Sequence, residues 1–267
     1  MTNQVIFVIC FTFIIHLINT LSYAVRLVGI KTGRLAVSFA LFNILVLVSR
    51  TANSLQAPLL AKKVEQDLLT GVVANSGAVF HWILLAAAIG TLAGAFLIPS
   101  FQGIFAKIVL RFNMERSIPR LLIHGFTKSG IRQIRDQFKV PSPKNLLHLK
   151  DFRKMPVKLI LLNALVVSIL TVGSLASLYA GYLNPQLRGT AISLASVITG
   201  MSTIMLVIFI DPFFSLLTDD VLEGKLTPAY YNKCVVLMVI SRFAGTCLAQ
   251  ALLVPAAMLI AFIAQII

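Results

Sequence analysis

The stretch Val157–Ala180, VKLILLNALVVSILTVGSLASLYA, carries a single charged side chain, Lys158 at its edge, and no proline. An α-helix rises 1.5 Å per residue, so a run of this length crosses a hydrocarbon layer about 30 Å thick. Five further runs, each nearly free of charge, surround it at Gln4–Val25, Leu35–Leu60, Ser76–Ser100, Gly189–Phe214 and Lys233–Ala264. The whole chain of 267 residues is 58% hydrophobic and 12% charged. That is about half the charge of an ordinary globular domain, which excludes both disorder and an ordinary soluble domain. The expected fold is all-α: a polytopic transmembrane helical bundle of about six spans. The first run has no basic residue before it and no clean small-residue cleavage site, so it reads as a retained span. The second is the least regular, because Arg50, Asn53 and Gln56 follow its apolar part before Pro58.

Orientation follows from the basic residues, which are retained on the cytoplasmic side. The segments after spans one, three and five hold 18 Lys and Arg, thirteen of them between Phe101 and Lys158; the segments after spans two and four hold 4. This places both termini outside and the long basic segment in the cytoplasm. The chain divides into residues 1–100 with spans one to three, a basic cytoplasmic or interfacial loop at 101–156, and residues 157–267 with spans four to six.

A 3+3 repeat is faintly visible. Tyr23 and Tyr179 close spans one and four at an offset of 156, and Gly33 and Gly189 share it. Gly90-Thr91-Leu92-Ala93 with Pro99 in span three matches Gly245-Thr246-Cys247-Leu248-Ala249 with Pro255 in span six at offsets of 155 and 156. Units of three spans enter the membrane from opposite sides, so such a repeat has inverted topology, as in many transporters. Apolar sequences also produce chance matches.

Within the loop, Phe101, Ile104, Phe105, Ile108 and Phe112 recur at helical spacing beside Lys107 and Arg111, and Ile131, Ile134 and Phe138 do so beside Arg132, Arg135 and Lys139. Pro119 separates the two segments, and Pro141-Ser142-Pro143 reads as a hinge. The plain reading is positive-inside topology. The functional alternative is capture of anionic lipid or lipid phosphate by Lys128, Arg132, Arg135 and Lys139, at about 1 kcal/mol per basic residue. No exposed aromatics interleave with these charges, which argues against a nucleic-acid partner.

Polar groups inside the spans must be hydrogen-bonded, paired or wet. Arg50 and Arg242 stand out, in Ser49-Arg50-Thr51-Ala52-Asn53-Ser54 and Ser241-Arg242-Phe243-Ala244-Gly245-Thr246. Counted along the helix from the cytoplasmic ends, Arg242 lies about 14 Å deep and Arg50 about 22 Å deep. A guanidinium stays charged and grips phosphate through parallel hydrogen bonds, so two of them at different depths could pass on a diphosphate. Each could equally snorkel or bind backbone carbonyls. His16, Asn19 and Tyr23 share one face of span one, which would meet a polar interior. Asn53 and Gln250 complete the candidate substrate contacts, and Asn43, Asn163 and Thr171 are further polar groups within the spans. Structural interhelical hydrogen bonding is the competing reading for each.

Other classes lose support. Asp211 is the one carboxylate adjoining a span interior, so a cation site of several carboxylates is absent. There is no GxxxxGK[ST] phosphate loop, HExxH or GxSxG motif, and His16, His81, His124 and His148 are scattered. A membrane-embedded lipid-phosphate enzyme is the runner-up, and a non-transporting scaffold is the third class. Cys10, Cys234 and Cys247 sit in apolar runs without a CxxC pair, supporting neither a disulfide framework nor a metal site. No cofactor is expected.

Tyr23-Ala24-Val25-Arg26 with Gly29 and Thr32-Gly33-Arg34, the segment Ser49–Asn53 with Gln56-Ala57-Pro58, and the basic loop before span four resemble the Amj family along the full chain. The resemblance implies a bacterial lipid II flippase that can substitute for MurJ. Its substrate would be the undecaprenyl-diphosphate-linked disaccharide pentapeptide, moved from the inner to the outer leaflet of the cytoplasmic membrane. The family offers no short signature from which site residues transfer. Energy source, oligomeric state and selectivity among polyprenyl-linked lipids, the alternative substrates, stay open at this level.

Overall fold

The computed structural model describes residues 3–71, 76–115 and 156–267. Seven α-helices run through them: α1 (Asn3–Thr32), α2 (Leu35–Thr70), α3 (Ser76–Glu115), α4 (Val157–Leu183), α5 (Arg188–Met205), α6 (Asp211–Leu222) and α7 (Pro228–Ile266). A 3-10 turn, Pro185–Leu187, precedes α5, and a π-helical turn, Leu206–Ile210, joins α5 to α6. No strand occurs among the described residues. Six segments are long and apolar enough to cross a membrane, with α5, the π turn and α6 together making the fifth. The protein is therefore a six-span helical membrane bundle.

The helices overrun the apolar runs, because falling hydropathy does not end a helix; only a cap or a backbone break does. Span one does not stop at Val25. The helix α1 continues through Arg26 to Thr32, and Gly33, with φ +68°, makes the two-residue turn into α2. Arg26, expected in a loop, is thus a buried helical residue. The helix α2 likewise passes Pro58 and ends at Gly71, whose left-handed φ lets its N–H bond the Asp67 carbonyl. In α3 the helix passes Pro99 to Glu115, taking in the start of the expected loop. Its Phe101–Phe112 stripe packs inward: Phe105 and Val109 are buried in one cluster with side chains of α1, α2, α6 and α7, while Lys107 and Arg111 are exposed. Lys128, Arg132, Arg135 and Lys139, with Pro119 and Pro141–Pro143, lie outside the described residues.

Packing has the same plan in each half. The helix α1 packs most extensively on α3 and next on α2; α4 packs most extensively on α7 and next on α5. The contact of α2 with α3, and of α5 with α7, is slight, and the halves meet chiefly where α3 runs beside α7. Glycine makes the tight pairs possible. A Cβ on Gly90 would lie 2.4 Å from the Phe13 carbonyl oxygen, and one on Gly245 would lie 2.5 Å from that of Ala164. Small residues of this kind let helix backbones approach closely where lipid offers no hydrophobic drive to association.

Two apolar clusters form at opposite ends of the bundle. One gathers Val8, Leu60, Phe80, Leu178 and Leu253; the other gathers Val28, Leu41, Val109, Phe214 and Tyr231. Between them the spans bury a layer of polar side chains, with Thr20, Thr91, Asn163, Ser168 and Thr246 fully enclosed. Large apolar side chains such as Leu161, Met201 and Phe262 cover the outer surface.

Candidate functional site

The polar layer centres on Arg242, which α7 carries inward from the short Glu223–Thr227 link after α6. Pro228 at the first turn and the Thr227 hydroxyl, accepting from the Tyr230 N–H at 3.3 Å, start that helix. Arg242 is 7% exposed, and its guanidinium faces the Tyr23 hydroxyl of α1 within polar reach. Its Nε has no hydrogen-bond partner among the described residues. His16, two turns before Tyr23 on the same face of α1, is buried within electrostatic reach of Arg242, and the Thr91 hydroxyl lies 3.5 Å from its Nδ1. Charge, phenol, imidazole and hydroxyl from α1, α3 and α7 thus converge where the two halves meet. A buried guanidinium with an unused donor is costly unless an anion or water completes it.

The other sequence-derived candidates divide. Asn19 is half-buried, and it is its carbonyl that takes part in a hydrogen bond, accepting from Ser22 Oγ at 2.7 Å. Gln250 is drawn into the α3–α7 seam: its Nε2 donates to the His81 carbonyl at 3.1 Å, and its Oε1 lies 2.8 Å from His81 Nδ1. Since Oε1 can only accept, His81 holds its proton on Nδ1. Arg50 is exposed on the outer face of α2, away from the packed interior, and Asn53 one turn on is half-buried. The structure therefore gathers His16, Tyr23 and Arg242, and does not join Arg50 to them. Asn163 pairs with the same turn of α7 as Arg242, donating to Ser241 Oγ at 2.6 Å and to the Met238 carbonyl at 3.4 Å. Among the described residues no group of three or more His, Cys, Asp or Glu converges as metal ligands would.

A second buried arginine escaped the sequence reading. Arg26 Nη2 lies 2.5 Å from Asp211 Oδ1, joining α1 to α6. The guanidinium carbon also sits 4.2 Å from the centre of the Phe42 ring and 4.7 Å from that of Phe214. The π turn prepares this contact. Pro212 brings no N–H to the ladder, and the Asp211 N–H bonds the Leu206 carbonyl five residues back, so the helix is re-aimed at that residue. The signal in sequence was Asp211-Pro212 itself, a lone carboxylate at the end of a span, which calls for a basic partner.

Comparison with known proteins agrees with the resemblance noted from the sequence. The family model Amj, described as Alternate to MurJ, matches residues 11–264. A curated relative from Bacillus subtilis (strain 168), named Lipid II flippase Amj, is 37% identical over 267 residues, covering 99% of this chain and 98% of its own length. No solved structure gives a significant match. With the family model spanning nearly all six helices and the relative aligned from end to end, the chain belongs to the Amj family.

Proposed function

We propose that this protein is a lipid II flippase of the bacterial cytoplasmic membrane, a transporter and not an enzyme. The end-to-end similarity to the Bacillus subtilis flippase carries the reading. The physical layout supports it. A diphosphate-linked sugar crosses hydrocarbon only along a polar, cationic route that opens sideways, so that the polyprenyl tail stays in lipid. Arg242 supplies fixed positive charge in a polar layer midway between two apolar plugs, and α2 and α5, the least buried spans, flank that layer loosely. The two halves act as inverted repeats that rock against each other by alternating access. The matched pairing of α1 with α3 and α4 with α7 through Gly90 and Gly245 supports that assignment.

In this mechanism both termini face outward, and Lys128, Arg132, Arg135 and Lys139 concentrate lipid II and other anionic lipid at the cytoplasmic leaflet. Arg242 engages the diphosphate, with His16, Asn19 and Gln250 bordering its path. Rocking then presents the headgroup toward Arg50 and Asn53 on α2. The test is lipid II exposure in the outer leaflet of cells depleted of their other flippase, with wild-type protein, Arg242→Ala or Arg50→Ala. Restoration by wild type and not by the variants, at equal amounts of folded protein, is expected. Restoration by both variants would discard the two arginine roles, and no restoration by folded wild type would shift the substrate to another polyprenyl-linked lipid.

A further inference from the structure

We propose that Arg26 anchors a second anion site, separate from Arg242, which takes a diphosphate group at the end of the bundle where α1 turns into α2. Arg26 and Ser38 line one cleft there with Gly29, Phe42, Thr218 and Tyr231. Arg26 is 8% exposed, yet two of its three nitrogens, Nε and Nη1, have no hydrogen-bond partner among the described residues. Ser38 Oγ, 3% exposed, has none either. Buried donors left unsatisfied cost more than a hydrogen bond gains, so such a set calls for an anion or water to complete it, and beside a fixed guanidinium an anion is the stronger partner. The Phe42 and Phe214 rings hold the guanidinium in place, with its Nη2 taken by a single Asp211 oxygen.

The Asp211 carboxylate is the internal stand-in for this ligand. It satisfies one donor where a diphosphate, with more oxygens and more charge, reaches Nη1, Nε and Ser38 together. Its side chain is 44% exposed, against 6% for Arg26, so it can swing out of the way while the arginine stays fixed. The cleft as it stands is narrow, so the ligand enters by taking the Arg26 guanidinium from Asp211 and parting the cleft walls. Displacement also breaks the ion pair between α1 and α6, one from each half of the bundle, and leaves them joined by the Phe214 ring alone at Arg26, which couples loading of the site to movement of the halves. The coupling to transport rests on the flippase reading; the anion site does not.

The test is calorimetric titration of the full chain in detergent with farnesyl diphosphate, a short prenyl diphosphate, and with inorganic diphosphate. Asp211→Asn, which removes the competing charge, is expected to bind farnesyl diphosphate about tenfold more tightly than wild type. The double variant Arg26→Gln/Asp211→Asn, a neutral pair of nearly unchanged shape, should lose at least that factor; a charged hydrogen bond of about 1.5–3 kcal/mol corresponds to roughly ten- to a hundredfold. Equal affinity for inorganic diphosphate would assign the site to a soluble ion, and much weaker affinity would assign it to a lipid-borne one. Unchanged binding in both variants overturns the proposal. Lipid II flipping measured on the same proteins separates the two readings. Flipping by the double variant at the wild-type rate would overturn the coupling alone, whereas a folded wild type that binds but does not flip would overturn the flippase reading and leave the site standing.

Discussion

Tyr23 and Arg242 face each other across the seam between the two halves of the bundle, phenol beside guanidinium, with both side chains buried. The phenol borders a positive charge that pairs with no carboxylate among the described residues. Tyr23→Phe keeps the ring and removes the acceptor, so it should lower stability by about 1–3 kcal/mol, the usual cost of leaving a buried charged donor unpaired. Thermal unfolding in detergent would register this as a lowered midpoint. Lipid II exposure should fall as well, because the guanidinium is then free to change rotamer.

Gly90→Ala and Gly245→Ala should each destabilise the bundle by about 1–3 kcal/mol, as overpacking of a rigid contact does. The added methyl would meet a backbone oxygen, Phe13 or Ala164, and a helix backbone cannot step aside as a side chain can. Gly200→Ala is the control, since nothing lies within 4 Å of a Cβ there. Equal unfolding midpoints for all three variants would dismiss close packing as the reason for the glycines.

Asn163 and Ser241 tie α4 to α7 next to Arg242. A double-mutant cycle of Asn163→Ala and Ser241→Ala should return a coupling near 0.6 kcal/mol, the usual size of an interhelical hydrogen bond in a membrane protein. A coupling several times larger would mean that the pair positions Arg242 rather than merely joining helices, and Ser241→Ala would then reduce transport.

Thr70 and Lys225 are both exposed, at opposite ends of the bundle. In protein whose Cys10, Cys234 and Cys247 have been replaced, a membrane-impermeant maleimide should label Thr70→Cys in intact spheroplasts and Lys225→Cys only after lysis. The reverse pattern would turn the topology over, with the termini and the basic segment exchanging sides.

Much of the central site was legible because its signals are local. A guanidinium deep in an apolar run, as Arg242 is, is costly unless it faces the interior, and His16 and Tyr23, seven residues apart, must share one face of their helix. The structure brings these three together. Arg26 was hidden because it follows the apolar run directly and counts equally well as a topology-setting loop charge. Nothing local says that α1 continues for two further turns. Arg50 posed the opposite problem. Its depth could be counted, but which side of α2 meets α1 depends on contacts such as Ser49 Oγ to the Ile15 carbonyl and Gln56 Nε2 to Thr12 Oγ1, and these turn Arg50 outward.

By itself, the sequence determined that this chain crosses a membrane six times as helices, because every backbone group in hydrocarbon must be satisfied within its own segment and only so many residues span the layer. It also determined which side chains would be costly there. Where the helices stop, which halves of the bundle touch and which arginines are enclosed were decided by the tertiary structure alone. These depend on contacts between residues far apart in the chain, Arg26 with Asp211 and Gly245 with Ala164 among them, and no periodicity along one helix encodes the face of another.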